Sequence, residues 1–409
     1  MVFSRSLQYL FLEDFGYLTG MTLWLAALAV GLWALIRYRR FAHGVPSRLR
    51  RANLLLSFWM GGAALTAVEL YFALLYDTTD SFNRTKVSRK WYRIHADRER
   101  RPLEIRPGEG IYYRDDHDFP KQPPEGRYRI CFLGDSFTFG HGIANIQDRF
   151  SNRIQAALDR QAPGRFEVTN LSDAGTDLYW VEGLLKELFE NGFRIDTAVY
   201  VLCLNDIETF HPRHRTYYEN FDERVGQPHF FLFRHSYFFN LMFYRWRYLI
   251  VPELRDYYSF VHDYYEGEPW QLMKQKLLEV NELCRRHEAD FRVVVFPFLH
   301  NLGPEYPFRH AHQLIDGFCR QSGIPVLDLE PVLTPHVREG LMVSRFDAHP
   351  NERAQALVAD AILRDLLADL ISRAKSPDGL KPTNPRPLGH GTNPPDRTAI
   401  PGSPRRRSN

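Results

Sequence analysis

The chain has 409 residues, 44% of them hydrophobic, and 52 basic against 49 acidic side chains give a formal charge of +3. That length allows more than one domain with a sizeable core, and the near balance of charge excludes the strongly basic profile of a nucleic-acid binder. The four cysteines, Cys131, Cys203, Cys284 and Cys319, have neither CxxC nor zinc-like spacing. Cys131 and Cys203 sit in apolar runs and read as buried thiols, whereas Cys284 and Cys319 could pair in an oxidising compartment.

Two apolar stretches open the chain. Tyr17 to Ile36 carries no charge, and Leu54 to Tyr76 carries one acid, Glu69. About twenty such residues suffice to cross a ~30 Å hydrocarbon core as a helix, and Tyr17, Trp24, Trp33, Tyr71 and Tyr76 fall largely towards the ends, as interface anchors do. No small-residue cleavage site follows the first stretch, so it reads as an anchor and not as a removed signal peptide. The loop between them holds Arg37, Arg39, Arg40, Arg48, Arg50 and Arg51. Positive charge stays inside, so the expectation is a transmembrane hairpin over residues 1–77 that delivers the rest of the chain to the periplasmic or extracytoplasmic face.

Residues 78–126 read as an irregular, charged connector. Alternation of strand and helix follows. Ile130 to Leu133 is a strand, followed by a helix in which Phe150, Ile154 and Leu158 recur every four residues. Phe166 to Leu171 reads as strand, Leu178 to Phe189 as helix, and Thr197 to Leu204 as a strand buried on both faces. An aromatic-rich interruption, residues 207–270, includes Tyr217, Tyr218, Phe230, Phe231, Phe238, Phe239, Tyr244, Trp246, Tyr257, Tyr258, Tyr264 and Tyr265. It reads equally as a lid or acyl-acceptor groove and as a satellite core or membrane-resting surface. A helix from Trp270 to Arg286, a strand Phe291 to Phe298, a strand Pro325 to Leu329 and a last helix after Pro350 complete the pattern. Five strands with helical crossovers imply an α/β fold with a parallel, doubly wound sheet over residues 127–373. From 374 onward the Pro, Gly, Arg and Ser content predicts a disordered tail.

Chemistry-bearing residues fall at the strand ends. Gly134-Asp135-Ser136 follows the first strand, where a tight turn lifts a serine clear of the sheet's carboxyl edge. A serine needs a base, and the base an orienting group; Asp347-Ala348-His349-Pro350 offers both, with Pro350 expected as the first helical residue. Gly175 closes the turn after the second strand and Asn205-Asp206 the turn after the third, positions from which hydrogen-bond donors could converge on an oxyanion. Taken singly, each is also ordinary turn chemistry.

In order, Gly134-Asp135-Ser136, Gly175, Asn205-Asp206 and Asp347 with His349 resemble the four sequence blocks of the SGNH (GDSL) hydrolase superfamily across roughly residues 127–372. The resemblance implies a flavodoxin-like α/β/α sandwich. It also implies Ser136 as nucleophile, His349 as base, Asp347 as its orienting acid, and an oxyanion hole from Ser136 N–H, Gly175 and Asn205. No metal or other cofactor is implied. Two departures stand out: Cys203 occupies the place of the usual glycine in the third block, and one residue, not two, separates Asp347 from His349. The expected function is a membrane-anchored serine esterase or O-acyltransferase acting on an acylated glycan or lipid. The alternative is a catalytically weak SGNH-like scaffold in an envelope polysaccharide assembly.

Overall fold

The computed structural model describes residues 2–211, 225–251 and 261–374; Tyr217, Tyr218, Tyr257, Tyr258 and the tail from 375 lie outside that set. It opens with three helices, α1 (Val2–Leu12), α2 (Phe15–Phe41) and α3 (Pro46–Leu74). α2 and α3 are longer than their apolar stretches because arginine is a good helix former and Pro46 suits the first turn of α3. They form a hairpin tied by Trp24 Nε1 donating to Thr66 Oγ1 (2.9 Å) and Trp59 Nε1 donating to the Leu28 carbonyl (2.9 Å). Both are long and apolar enough to cross a membrane, and Leu23, Trp33 and Phe58 point outward.

The expected irregular connector is instead built structure. Thr85 caps α4 (Lys86–Trp91), and Arg100–Arg106 (β1) pairs antiparallel with Glu109–Arg114 (β2). Its charges evade a periodicity reading because several are buried as polar ties. Lys90 is fully buried, and its Nζ donates to the carbonyls of Ala73 (2.8 Å) and Tyr76 (3.1 Å), groups that the end of α3 leaves unsatisfied. Arg114, also fully buried, pairs with Glu99 and donates to the carbonyls of Gly140 (3.0 Å) and Ile143 (2.8 Å). The segment thus clamps the hairpin on one side and the loop after the first sheet strand on the other.

The sheet itself is β3 (Tyr128–Gly134), β4 (Phe166–Asn170), β5 (Thr197–Cys203), β6 (Asp290–Phe296) and β7 (Val326–Asp328), all parallel, in spatial order β4-β3-β5-β6-β7. This is the flavodoxin-like order, whose switch point lies between β3 and β5. β3 and β5 are buried at every position, as strands covered on both faces must be. Crossover helices α6 (Phe150–Gln161), α7 (Leu178–Glu190) and α11 (Glu268–Arg286) cover the sheet with Ile154, Leu158, Leu185 and Leu277. Within the interruption the described helices are α8 (Phe231–His235), α9 (Tyr237–Ile250) and α10 (Val261–Glu266). All four cysteines are free and buried, Cys284 and Cys319 included.

Candidate active site

β3 ends in Gly134 at φ +156°, where an added Cβ would lie 2.5 Å from Thr138 Oγ1 and 2.7 Å from the Val201 carbonyl. Only glycine fits such a turn. The chain then starts a short helix, α5 (Ser136–Phe139), with Asp135 Oδ1 accepting from Phe137 N at 2.9 Å. Ser136 is the first residue of that helix, so its N–H has no intrahelical acceptor.

The loop carrying His349 differs from the sequence expectation. Pro350 does not begin the last helix; it ends a short strand, Asp347–Pro350, paired antiparallel with Met342–Ser344. Asn351 is the cap, its side chain accepting from Arg353 N and Ala354 N ahead of the helix Glu352–Ala361. Asn, with a side-chain acceptor, takes that role better than the proline before it.

This strand sets His349 Nε2 2.7 Å from Ser136 Oγ and His349 Nδ1 2.6 Å from Asp347 Oδ1. The one-residue spacing suffices because Asp347 Oδ1 also accepts from the His349 backbone N–H at 3.1 Å, folding the carboxylate back onto its neighbour. Asp347 is fully buried and Ser136 half-buried.

On either side of Ser136 lie the other two turns. Thr176, next to Gly175, donates to the Gly134 carbonyl at 2.7 Å, so the turn after β4 is tied to the end of β3. Gly175 has φ +76° and open space where a Cβ would be. Asn205 follows β5, whose Val201 is in register with Gly134, and its carboxamide has no intramolecular partner among the described residues. Asp206 is turned inward instead, accepting from Tyr200 Oη (2.5 Å) and Cys203 N (3.2 Å). Cys203 is completely buried, so the bulkier side chain at the usual glycine position packs into the core and leaves the sheet edge open.

Sequence reasoning missed the residues that hold the other carboxylate oxygen of Asp347. Its Oδ2 lies 3.2 Å from His141 Nε2 and accepts from the Thr79 hydroxyl. His141 Nδ1 is paired with the Tyr92 phenol, and the His141 ring stacks on His349 at 4.0 Å between centroids. Burial pushes the Tyr92 phenol up, so it keeps its proton beside His141. His141 follows the Gly140 turn directly, the one sequence signal that could have flagged it.

Electrostatics favour an anionic Asp347 beside a neutral His349. Burial alone would raise the Asp347 carboxyl, but the two imidazoles outweigh it and hold the group well below its ordinary value. Burial, reinforced by His141, lowers His349 against the opposing pull of Asp347. Ligand atoms of His141, Asp347 and His349 lie within 4.8 Å of one another, as do those of Asp115, Asp116 and His117. The first trio is already committed to Ser136, Thr79 and Tyr92, and a metal ion there would compete with the Ser136–His349 hydrogen bond.

A parallel sheet of flavodoxin order carrying a hydrogen-bonded Ser–His–Asp set at its carboxyl edge is the class of architecture that fold and site define. No family model and no curated protein matches the chain. Among solved structures, it overlaps a lipolytic G-D-S-L family protein from Veillonella parvula (14% identity, 58% of this chain and 96% of that one, TM-score 0.36). It also overlaps the acetyl xylan esterase AlAXEase (12% identity, 57% and 97%, TM-score 0.37) and a two-domain esterase active on acetylated mannans (16% identity, 63% and 53%, TM-score 0.34). Overlap at this level fixes neither family nor substrate for this chain, whose chemistry is read from the side chains above.

Proposed function

We propose that this protein is a serine-dependent esterase or O-acyltransferase of the SGNH hydrolase type, acting on ester-linked acyl groups through an acyl-enzyme. The supporting observation is the unbroken chain from Ser136 Oγ to His349 Nε2 (2.7 Å) and from His349 Nδ1 to Asp347 Oδ1 (2.6 Å). Ser136 Oγ attacks the ester carbonyl and its proton passes to His349 Nε2, while Asp347 stabilises the imidazolium. The oxyanion develops towards the N–H groups of Ser136 and Gly175 and the carboxamide of Asn205. His349 then protonates the departing alcohol, and an incoming water or sugar hydroxyl, deprotonated by the same imidazole, releases the acyl group.

The substrate class is an acylated glycan or lipid at the outer membrane–water boundary. Two helices long and apolar enough to cross a membrane, joined by an arginine-rich loop of the kind kept inside, support a membrane hairpin with the site on the extracytoplasmic face. Thr79 lies five residues beyond Leu74, the last residue of α3. A fully extended chain spans at most ~18 Å over that distance, so Asp347 sits close to the membrane end.

Labelling of the full-length protein by a fluorophosphonate tests the proposal. Wild type is expected to label, with Ser136→Ala and His349→Ala inert. A folded wild type that neither labels nor hydrolyses short-chain esters would replace the enzyme with the scaffold reading, for which the buried Cys203 gives no structural support.

A further inference from the structure

The helix α9 is apolar on two sides. Tyr237, Leu241 and Tyr244 are buried, packing towards α3 and α4, as the core-facing stripe of a soluble helix would. The outward stripe, however, is Met242, Trp246, Leu249 and Ile250, spaced four, three and one residues apart, with Leu249 73% exposed. Immediately before it, Phe230 and Phe231 are more than half exposed. A soluble surface rarely carries so continuous an apolar patch.

What covers this face follows from where the helix is fixed. Glu69, in α3 and five residues before Leu74, accepts hydrogen bonds from the Ser236 hydroxyl, from Tyr237 N (2.7 Å) and from Phe238 N (2.9 Å). The α9 N-terminus is therefore held about 7.5 Å inside the end of an apolar helix, by the helix rise of 1.5 Å per residue. That is the depth of the headgroup–acyl boundary if α3 crosses a bilayer, and a bulky apolar stripe with Trp and exposed Arg234 beside it is what an interfacial helix presents to lipid.

We infer that α8 and α9 form a membrane-interfacial element whose Phe230, Phe231, Met242, Trp246, Leu249 and Ile250 face lies in the bilayer boundary. The inference rests on the hairpin crossing the membrane. It also brings the boundary to the site, because Arg245 of the same helix stacks over Phe346, the neighbour of Asp347, at 3.5 Å.

The test is fluorescence quenching on the full-length protein in nanodiscs of phosphatidylcholine and phosphatidylglycerol. Single bimane labels are placed through Leu249→Cys, Trp33→Cys and Tyr112→Cys; the native cysteines are buried and do not compete. Nitroxide lipids are expected to reduce emission at 249 and 33 at least about twofold, with aqueous iodide ineffective, and to leave 112, an exposed position of β2, to iodide alone. Quenching at 33 but not at 249, with 249 open to iodide, overturns the inference while the hairpin stands. Protection of 249 from both quenchers also overturns it, since protein then covers the face. Absence of lipid quenching at 33 removes the membrane hairpin and the inference together.

Discussion

His141 Nε2 and Asp347 Oδ2 stand 3.2 Å apart, so the carboxylate that orients His349 through one oxygen is held by a second imidazole through the other. The His141 ring also lies face to face with His349. Any positive charge on His141 disfavours protonation of His349, in the same direction as burial. Groups facing this cluster from neighbouring elements are Tyr92, Thr79, the Asp80 carbonyl and, further out, Arg245.

The consequence is a pH profile. In the proposed mechanism His349 must be neutral to accept the Ser136 proton, and its depressed value is expected to put the acid limb of kcat/KM below the ordinary histidine value of about 6.5. In His141→Gln the limb is expected to move to higher pH, because one cause of the depression is gone and Asp347 is freed to bond His349 more strongly. A profile measured on a soluble short-chain ester, with an unmoved limb in the variant, would show His141 to be packing alone.

Asn205 supplies the second prediction. It stands two residues beyond the end of β5, whose Val201 pairs with Gly134 at the β3 turn, and its carboxamide serves no other described residue. Replacing it by alanine is expected to lower kcat by about 10²–10³-fold, the range for one oxyanion donor, with KM little changed and Tm within a degree or two of wild type. A large loss of Tm in thermal unfolding would instead mark Asn205 as a structural turn residue.

How much of this arrangement was legible in the chain follows from distance along it. β3 and β5 announce themselves because strands buried on both faces are uninterrupted apolar runs, and Ser136, Gly175 and Asn205 each follow a strand whose end is visible, whereas His349 sits inside the short strand Asp347–Pro350, which the sequence did not announce. Thr79, Asp80 and Tyr92 were not legible. They reach the site across more than 250 residues, in the case of Thr79 and Asp347, from a segment whose buried Lys90 and Arg114 mimic a solvated charge run. The interruption gave its composition but not its fixed point: Glu69 as ligand to the start of α9 joins two stretches 167 residues apart. The Pro350 expectation failed because Asn351, one residue later, offers the better cap.

A pH-dependent stability change is expected at Asp135. Burial pushes its carboxyl up to about 7, against the backbone N–H of Phe137 that favours the anion. Its neighbour Asp206 is also raised, by burial first and then by Asp135. A folded-state value above the unfolded ~3.9 means that the folded protein holds the proton longer, so this group costs stability as pH rises from about 4 through 7. Asn caps a helix as well as Asp does. Asp135→Asn is thus expected to match wild type in Tm near pH 4 and to exceed it by a few degrees at pH 8, read by scanning calorimetry. A Tm difference independent of pH would mean that Asp135 is ionised throughout.

The last prediction concerns Glu69, whose single carboxylate satisfies three donors at the start of α9. Negative charge there also complements the positive end of the helix dipole. Glu69→Gln keeps the shape but removes the charge and half the acceptor capacity, so at least one backbone N–H loses its partner, at about 1–3 kcal/mol for a buried donor. The loss should be local, because the helix that this cap starts packs on α3 and α4. Hydrogen exchange is expected to speed up by at least about tenfold over residues 237–250, each factor of ten being about 1.4 kcal/mol of opening free energy, with the central sheet unchanged. Unaltered exchange in that segment would mean that the aromatic packing of Tyr237 on Tyr17, at 4.9 Å between ring centres, fixes the helix without the carboxylate.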